Sequence, residues 1–456
     1  MAKKVIVVGS GAAGMSAASA ARAADPEADI TVITEDFDIA YSPCMIPWVL
    51  EGKSTWDQMI MHTPEWYASE RRIKVLTRTK VESAVNDRAK DGTVTKTVTA
   101  GGKTYEYDSL VLATGGRVFV PPIEGTDLPG VFTVRTVEDG RKIEACLKTA
   151  RNVVIAGAGV IGLELAIALN NIGKDVTVIE MMDQVIPRIA DADMAAQVQK
   201  YLEDQGVTIV LKAPVQKVTG NGKAEGVESL GKTYPADIVI FATGVRANTD
   251  IAKQLGLDIG QLGAVAVAPT MQCYRRGRLM PDVLACGDVI QCQSGVYPGP
   301  TMSQLGSSDV KEGRVAGTNA VGRREICGPT LSPWVSPIGE MEIAGTGMSL
   351  GLASWYGADT ATGRAEGLTR ARYFPGAKRM AVKVIGDRAT HRIIGCQIVA
   401  GENTTGRIDW MTAVIAAGTT AEEFLANGEN AYCPPTAMVR EPVFAAVEDL
   451  VRQFRQ

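Results

Sequence analysis

The chain is poor in the residues that build metal sites and dithiol redox centres. It has only two histidines, His62 and His391, and none of its eight cysteines forms a C-x-x-C pair. A zinc site, an iron–sulfur cluster and a thioredoxin-type dithiol are therefore not expected, and we predict no bound metal. Scattered cysteines are mostly small buried apolar residues of proteins kept in a reducing compartment. The cysteines are Cys44, Cys146, Cys273, Cys286, Cys292, Cys327, Cys396 and Cys433.

The chain of 456 residues also lacks long apolar runs and blocks of one charge. No uninterrupted apolar run reaches the roughly 18 residues that cross a membrane, so no membrane span is predicted. The 47 basic and 51 acidic side chains give a net charge of −4, and their pattern does not indicate a nucleic-acid partner. The first residues lead directly into an apolar strand, without the cleavable core of a signal peptide. We therefore expect a cytoplasmic location.

Aromatic residues are scarce, at 5%, whereas glycine is abundant, with 48 residues. This composition suits an α/β protein with many tight turns, and two Gly-x-Gly-x-x-Gly turns support that class. Each turn follows an apolar strand, opens a helix and precedes a second strand, which is the context of a dinucleotide-binding βαβ unit. Two copies about 148 residues apart imply two dinucleotide domains. The glycines are Gly9, Gly11 and Gly14 in the first unit and Gly157, Gly159 and Gly162 in the second.

Periodicity and turn residues predict the main elements along the chain. Two apolar strands end in Thr-Gly, at Thr114-Gly115 and at Thr243-Gly244, and each is the expected closing strand of its domain. The predicted strands are 5–8, 29–33, 110–114, 152–156, 175–180, 238–243, 282–287, 380–385 and 392–399, and the predicted helices are about 13–24, 163–172, 303–321, 409–417 and 443–455.

These elements predict two Rossmann-like dinucleotide-binding domains and a C-terminal α+β domain that suits dimerisation. The first domain is expected in two parts, 1–120 and 265–330, around a second domain at 121–264. The stiff Pro121-Pro122 pair is a plausible crossover between them. Residues 331–456 form the C-terminal domain, which carries no dinucleotide motif and is the natural candidate for subunit contact.

A carboxylate at the end of the second strand of such a unit binds the adenosine ribose. In the second unit this residue is Glu180, followed by Met181 and Met182 and by no nearby arginine, so a 2′-phosphate would be repelled. We infer NAD(H) rather than NADP(H). In the first unit the candidate is Glu35, although strand alternation leaves Thr34 possible.

The segment from Tyr41 to Trp48 contains the cysteine with the most informative neighbours, Cys44 in the sequence Ser42-Pro43-Cys44. Apolar residues after it predict a helix that starts there, and proline is tolerated in a first turn. A thiol at a helix N-terminus has a lowered pKa, so we expect Cys44 to be a reactive thiolate.

With these motifs in place, the chain resembles the FAD-dependent pyridine nucleotide–disulfide oxidoreductases over about residues 4–450. It is most similar to the single-cysteine branch, which includes coenzyme A–disulfide reductases, persulfide or polysulfide reductases and archaeal NADH oxidase homologues. The markers are the two Gly turns, Ser42-Pro-Cys44-x-x-Pro47, the two Ala-Thr-Gly segments and Cys286-Gly-Asp288.

The resemblance implies FAD on the first unit and NAD on the second, with roles for residues at matching positions. Cys44 is the implied redox thiol, Glu164 lines the nicotinamide side, and Tyr432 reaches the active site of a partner subunit. Asp288 holds the ribityl chain of the flavin. The expected cofactor-binding residues are Gly9, Gly11, Gly14, Glu35, Ser42, Pro43, Thr114, Gly115, Gly157, Gly159, Gly162, Glu180, Thr243, Gly244, Gly287 and Asp288.

Two departures from the family pattern bear on the substrate. NADH peroxidases and water-forming NADH oxidases carry a histidine in the first Gly turn, where this chain has Ala12, which lowers the peroxidase and oxidase readings. Coenzyme A–disulfide reductases often place two adjacent basic residues near the end of the first helix. Here Arg22 precedes Ala23, and Arg71 is a possible replacement, so both arginines are candidate substrate-binding residues.

These features lead to three hypotheses for function. The first is an NADH oxidoreductase that passes electrons through the flavin and Cys44 to a small disulfide, persulfide or polysulfide, as a homodimer. The second is the NAD-linked FAD subunit, or diaphorase, of a larger complex with iron–sulfur partner subunits, such as a 2-oxoacid or aldehyde oxidoreductase. The third is an NADH oxidase. The sequence leaves the electron acceptor open.

Overall fold

The computed structural model of the protein describes residues 2–88 and 91–456. Met1, Ala89 and Lys90 fall within the first predicted segment and lie outside the described residues. The N-terminal segment begins with a βαβ unit and continues into a three-stranded meander. Its elements are β1 (Lys4–Val8), α1 (Ala12–Ala24), β2 (Asp29–Ile33), a 3-10 turn (Pro43–Met45), α2 (Ile46–Leu50), α3 (Trp56–Met59), α4 (Pro64–Arg71), β3 (Ile73–Leu76), β4 (Val81–Arg88), β5 (Val94–Ala100), β6 (Lys103–Glu106), β7 (Ser109–Leu112) and β8 (Gly116–Val118).

The second βαβ unit follows after the crossover and builds a five-stranded parallel sheet. Its elements are β9 (Val131–Thr133), α5 (Val137–Leu147), β10 (Asn152–Ala156), α6 (Val160–Asn171), β11 (Asp175–Ile179), α7 (Ala192–Asp204), β12 (Thr208–Val210), β13 (Lys217–Thr219), β14 (Gly226–Ser229), β15 (Lys232–Pro235), β16 (Ile238–Phe241) and β17 (Val245–Ala247). The order in the sheet is β12-β11-β10-β16-β9, and β13 to β15 form a separate antiparallel meander. Strand β17 pairs with β8 of the first domain, so two antiparallel strands connect the domains.

The chain then returns to the first domain and completes its sheet. The elements are α8 (Asp250–Gln254), β18 (Val265–Ala266), β19 (Gln272–Arg275), β20 (Arg278–Ala285), β21 (Ile290–Gln293), β22 (Pro300–Thr301) and α9 (Gly306–Ala320). The six strands run β19-β20-β7-β1-β2-β3. Strands β1 and β7 consist almost entirely of buried apolar residues because both faces of the sheet are covered.

The C-terminal domain is an antiparallel sheet with helices packed against it. Its elements are β23 (Trp334–Ile338), β24 (Met341–Gly347), α10 (Leu350–Trp355), β25 (Thr360–Leu368), β26 (Arg379–Asp387), β27 (Ile393–Ala400), α11 (Thr404–Ala416), α12 (Ala421–Asn427) and α13 (Pro442–Phe454). The strand order is β23-β24-β27-β26-β25. The predicted fold class, two dinucleotide domains and a C-terminal α+β domain, is therefore confirmed.

Packing joins the second domain to both of its neighbours. Ile46 and Val49 of α2 share one apolar core with Leu163 of α6, and Ile338 and Ile343 of the C-terminal domain belong to the same core. Helix α6 therefore lies between the segment that carries Cys44 and the C-terminal sheet. The domain bounds predicted from the sequence are compatible with the strand order and remain our proposal. Across the described ranges, every helix is too short or too polar to cross a membrane.

Candidate functional site

The first glycine of each turn lies where only glycine fits. Gly9 has φ +108°, and a Cβ built on it would lie 2.1 Å from the carbonyl oxygen of Ala113. Gly157 has φ +106°, and its Cβ would lie 2.5 Å from the carbonyl oxygen of Ala242. Both conditions exclude a side chain, because the left-handed region and the close backbone approach are each unfavourable for an L-residue.

The other glycines of the two turns divide into packed and open positions. A Cβ at Gly14 or at Gly162 would lie 2.0 or 2.2 Å from the carbonyl oxygen of the first glycine in its own turn. By contrast, nothing lies within 4 Å of a Cβ built at Gly11 or at Gly159. These middle glycines cap α1 and α6 and leave open space at the helix N-termini. Such a space, lined by free N–H groups, fits a dinucleotide pyrophosphate.

Glu180 fits the role of ribose ligand in the second unit. Its side chain is buried, and its carboxylate accepts hydrogen bonds from the N–H of Ala158 at 2.8 Å and of Met182 at 2.9 Å. The carboxylate is therefore fixed directly beside the Gly turn. Met181 and Met182 are exposed next to it. Neither supplies a positive charge for a 2′-phosphate, which is the basis for inferring NAD(H).

The structure does not place Glu35 at the equivalent position of the first unit. Thr34 follows the last residue of β2 as Glu180 follows that of β11, and its hydroxyl accepts a hydrogen bond from Ser10 at 3.1 Å within the Gly turn. Glu35 is exposed and pairs with Lys80 at 3.9 Å. The geometry therefore favours Thr34, and the assignment of Glu35 stays a prediction that the geometry does not support.

The two Thr-Gly segments connect the dinucleotide domains to each other. Thr114 donates to the carbonyl oxygen of Asn248 at 2.8 Å, and the Asn248 side chain donates back to the carbonyl oxygen of Thr114 at 2.9 Å. In the matching segment, Thr243 donates to the carbonyl oxygen of Phe119. The two threonine hydroxyls thus bind backbone carbonyl groups that directly follow β17 and β8, the two strands that connect the domains. Gly115 and Gly244, which follow, both have positive φ, and cofactor contacts for the four residues stay predictions.

Asp288 is buried beside Gly287 at the return to the first domain, and its carboxylate accepts a hydrogen bond from the Arg135 guanidinium. Glu312 on α9 accepts the N–H of Gly287 at 2.9 Å. Burial, followed by the charge of Asp288, raises the pKa of Asp309 to about 8. Burial also raises the pKa of Glu312 to about 7. Acidic groups therefore outnumber the one arginine that acts on them here.

Cys44 lies in the 3-10 turn Pro43–Met45, capped by Ser42, directly before α2. The helix predicted over Met45–Leu50 therefore begins one residue later, at Ile46. Cys44, Ser42 and Pro43 are all exposed. Two charged groups influence the pKa of the thiol, Glu164 from α6 and Arg135 from the segment before α5. Charged residues of the second dinucleotide domain thus influence the thiol of the first.

The expectation of a lowered Cys44 pKa is wrong for this structure. Although the residue has an exposed surface, desolvation of its thiol raises the pKa, and the Glu164 carboxylate raises it further. A hydrogen bond from Ser42 and the charge of Arg135 act in the opposite direction and are outweighed. The helix that follows has only five residues, and the effect of a helix terminus is small at exposed sites.

Glu164 is placed by a contact from another domain. Its carboxylate accepts a hydrogen bond of 2.6 Å from the hydroxyl of Ser336, on strand β23. Burial raises the pKa of Glu164 to about 7, against the effect of this hydrogen bond. Both charge states of Glu164 are therefore accessible near neutral pH.

Tyr432 lies in the segment between α12 and α13, apart from this cluster within one chain. It is exposed, and its hydroxyl is hydrogen-bonded to that of Tyr373, which raises the pKa of Tyr432. Glu441 ends the segment and is buried, where its carboxylate binds the Arg407 guanidinium through two hydrogen bonds of 2.7 and 2.8 Å. Glu441 thus anchors the segment that carries Tyr432, and the role of Tyr432 stays a prediction.

Arg22 and Arg71 are brought together, but Arg22 is occupied by backbone groups. Its guanidinium donates to the carbonyl oxygens of Arg71 at 2.9 Å, Arg72 at 2.6 Å and Pro26 at 2.7 Å. Arg71 is exposed and lies over the ring of Trp66. The geometry therefore leaves Arg71 freer to meet a substrate than Arg22, and both assignments stay predictions.

Three residues of the site were not identified from the sequence. Arg135 is hydrogen-bonded to Asp288, Ser336 to Glu164, and Tyr373 to Tyr432. None stands in a recognisable motif, and each reaches its partner across a domain or between distant segments. Only a tertiary contact map could have found them.

The chain belongs to the pyridine nucleotide-disulphide oxidoreductase family. The family model matches residues 3–308, and the model of the family's dimerisation domain matches residues 337–441. The chain is similar to an NADH oxidase of Methanocaldococcus jannaschii, with 44% identity over 99% of both chains. It is also similar to an NAD(P)H coenzyme A polysulfide/persulfide reductase of Pyrococcus horikoshii, 34% identical over 97% of both chains.

Solved structures give the same result. The NAD-dependent persulfide reductase from A. fulgidus superposes with a TM-score of 0.91, at 33% identity, and the match covers 98% of this chain and 82% of that one. The family is dependent on FAD and NAD(P)H, and the two open Gly turns fit those groups. The chain is therefore an FAD-dependent NAD(P)H oxidoreductase with the family's dimerisation domain.

Proposed function

We propose that this enzyme passes two electrons from NADH by way of the flavin and Cys44 to a small disulfide, persulfide or polysulfide. The observation that carries the proposal is Cys44, an exposed residue of the first dinucleotide domain whose thiol pKa responds to Glu164 and Arg135 of the second domain. Two of the relatives are named for polysulfide or persulfide reduction, which supports this acceptor class.

FAD, when bound, supplies the two-electron relay between NADH and sulfur, and Gly11, Asp288 and the adjoining turns would hold it. The chain's own chemistry starts when the Cys44 thiolate attacks one sulfur of the acceptor. A bond forms from Sγ to that sulfur, the acceptor's S–S bond breaks, and the second sulfur leaves as a thiolate that takes up a proton. Cys44 is left in a mixed disulfide, and two-electron reduction returns it to the thiol with release of the second product.

Glu164 and Arg135 would govern the charge on Cys44 during this cycle. Arg135 favours the thiolate that attacks, whereas ionised Glu164 favours the protonated thiol. Because the pKa of Glu164 is about 7, it can take up or release a proton near neutral pH. Arg71, exposed over Trp66, is the proposed contact for a phosphate-bearing substrate such as coenzyme A.

The half-reaction spectrum tests this proposal. Anaerobic reduction of the holoenzyme with NADH should produce a long-wavelength absorption band of thiolate-to-flavin type, and alkylation of Cys44 should remove the band. Iodoacetamide-treated Cys146→Ser enzyme serves as the control: it lacks the half-buried thiol on α5, so an equal loss of the band in this variant excludes alkylation of Cys146 as the cause. A spectrum without such a band at any pH between 6 and 9, before and after alkylation alike, contradicts the proposed relay.

A second candidate is reduction of O₂, favoured by the name of the M. jannaschii relative, NADH oxidase. Such turnover would need the flavin, but it would not need Cys44 to attack an acceptor. Oxygen consumption at the same rate as NADH oxidation, faster than with any disulfide or polysulfide tested, would favour this candidate. The comparisons do not favour the iron–sulfur complex.

We further propose a cytoplasmic homodimer. The family's dimerisation domain and the exposed Tyr373–Tyr432 pair support subunit contact through the C-terminal domain. All eight cysteines are free, as a reducing compartment requires.

Specificity for NADH should respond to a single charge at the ribose. Met181→Arg places a cation beside Glu180 and should raise kcat/KM for NADPH on the order of tenfold, since charge-assisted contacts to phosphate are strong. Leu230→Arg, an exposed residue in the same domain, adds the same charge elsewhere and should leave the NADPH/NADH ratio unchanged. Equal effects of the two variants would show that net charge, and not the ribose contact, is responsible.

A further inference from the structure

A loop of the second domain is bound to the Gly157 turn and carries an arginine. It is the segment 181–190, which connects β11 to α7. The N–H of Ile186 donates to the carbonyl oxygen of Ala158, inside the turn, at 2.8 Å. The Gln184 side chain donates to the carbonyl oxygen of Ala190 at 2.9 Å, which closes the loop on itself. The loop therefore has a fixed position beside the turn that we expect to bind NADH.

The backbone of this loop is strained at Ile186. Its φ of +49° lies in the left-handed region, which a β-branched residue rarely adopts. The side chain is buried and belongs to the apolar core of the domain, so packing holds the strained conformation in place. Strained residues of this kind cluster at ligand clamps and active sites. The strain indicates a functional loop, and the exposed cation two positions later is Arg188.

Arg188 lies at the carboxyl edge of the five-stranded sheet. A Cβ built at Gly244 would lie 3.7 Å from Nη1 of Arg188. Gly244 follows β16, and β16 pairs with β10, the strand that leads into the Gly157 turn. From β10 the chain continues through α6 to β11 on the other side, so the strand order reverses between β10 and β16. Nucleotides bind in the crevice at such a switch point.

The Arg188 guanidinium is available to an anion in this crevice. It is exposed, and within the described ranges it forms neither a hydrogen bond nor an ion pair. Asp191 and Asp193, which line the same cavity, are both paired with Lys383 at 2.8 Å. The Gly157 turn itself contains no basic residue. Arg188 therefore adds a full positive charge to the N–H groups that the turn offers to a pyrophosphate.

We propose that Arg188 binds the pyrophosphate of NADH through a charge-assisted contact. Glu180 follows β11 and Gly244 follows β16, so β10 lies between them, and the two strand spacings put them about 10 Å apart. Arg188 is on the Gly244 side, away from the ribose position of Glu180. It therefore meets the pyrophosphate and not a 2′-phosphate, and NAD(H) remains the expected nucleotide. The proposal concerns nucleotide binding and is independent of Cys44 and of the electron acceptor.

The test measures binding of nucleotides that carry no nicotinamide and cannot be reduced. ADP-ribose and ADP-ribose 2′-phosphate are titrated calorimetrically into the oxidised, FAD-loaded enzyme. Arg188→Gln should raise the Kd of both about ten- to thirtyfold, because hydrogen bonds between charged groups are the strong ones. Since the contact is ionic and exposed, added KCl should weaken ADP-ribose binding more steeply in the parent than in the variant.

Two further variants separate the phosphate contact from a change in net charge. Arg188→Lys keeps the charge but lacks the planar fork of donors, so it should lose less affinity than Arg188→Gln. Arg151→Gln is the matched control. Arg151 is exposed at the opposite, amino-terminal edge of the same sheet, where it pairs with Asp175 at 2.7 Å. Its loss removes the same charge from the domain and should change either Kd by less than about twofold.

Parent-like binding of ADP-ribose by Arg188→Gln would overturn the inference. An equal loss of affinity in Arg151→Gln would also overturn it, because net charge would then explain the effect. A loss confined to ADP-ribose 2′-phosphate would place the arginine at the ribose and would contradict the pyrophosphate contact. An enzyme with the expected affinities that reduces no sulfur compound would contradict the proposed function alone.

Discussion

Cys44→Ser should lower turnover with a disulfide, persulfide or polysulfide by about 10³-fold or more, while NADH-dependent reduction of an artificial dye stays within about twofold of the parent. A serine hydroxyl is not a thiolate at neutral pH and cannot form the mixed disulfide. We expect NADH to bind at the Gly157 turn before α6, whereas Cys44 lies in the 3-10 turn before α2. The measurement is the ratio of acceptor to dye kcat/KM under anaerobic conditions.

The control for this variant is Cys146→Ser. Cys146 is half-buried on α5 in the second domain, so the variant also exchanges one sulfur for oxygen. It should leave both activities within about twofold, as surface-near substitutions usually do. A Cys44→Ser enzyme that reduces the sulfur acceptor at the parent rate would remove Cys44 from the pathway. A proportional loss of dye activity would instead indicate that the flavin site has been damaged.

Local patterns predicted the two βαβ units well. The strands Asp29–Ile33 and Asn152–Ala156 and the helix Ala12–Ala24 agree with the predicted bounds to within a residue. The reason is that buried parallel strands are continuous apolar runs and the first Gly turn fixes the start of α1. The start of α6 was predicted less well, since this helix begins at Val160, three residues before the predicted start. The same local spacing predicted Glu180 at the end of the second strand, where its carboxylate contacts the Gly turn, and its contact with a ribose stays a prediction.

Predictions were weaker where tertiary contacts decide the outcome. The predicted direction of the Cys44 pKa shift was wrong because tertiary packing desolvates the thiol and the Glu164 carboxylate, 120 residues away in the sequence, adds to that effect. Glu35 was preferred to Thr34 because a carboxylate was expected from the motif, whereas the strand register places the threonine beside the Gly turn. The meanders β4–β6 and β13–β15 and helix α7 were not predicted, since their short or polar segments carry little periodic signal.

A buried lysine joins the second domain to the C-terminal sheet. Lys383 of β26 has 1% of its side chain exposed, and its ammonium lies 2.8 Å from carboxylate oxygens of both Asp191 and Asp193, at the start of α7. Asp191 also accepts the N–H of Leu350 at 2.8 Å, and its own N–H donates to Gln397 at 2.9 Å. One aspartate thus makes three contacts with the C-terminal domain.

Lys383→Met should lower the free energy of unfolding by about 3–5 kcal/mol, because it leaves the buried Asp191 carboxylate without its cation. Lys200→Met is the matched control. Lys200 and Asp204 form an exposed pair on α7 at 2.9 Å, so its loss removes the same charge at a cost of about 0.5 kcal/mol or less. The measurement is the denaturant dependence of tryptophan fluorescence in the FAD-loaded enzyme.

A second substitution distinguishes an unpaired charge from lost packing. Asp191→Asn added to Lys383→Met removes the orphaned charge and keeps a side-chain oxygen for Leu350, so it should restore more than half of the lost stability. Packing loss alone predicts that the double variant is at least as unstable as Lys383→Met. Equal stability of Lys383→Met and Lys200→Met would show that the lysine does not hold these domains together. In that case the orientation of α6, and with it the Glu164–Ser336 contact, would depend on the apolar core alone.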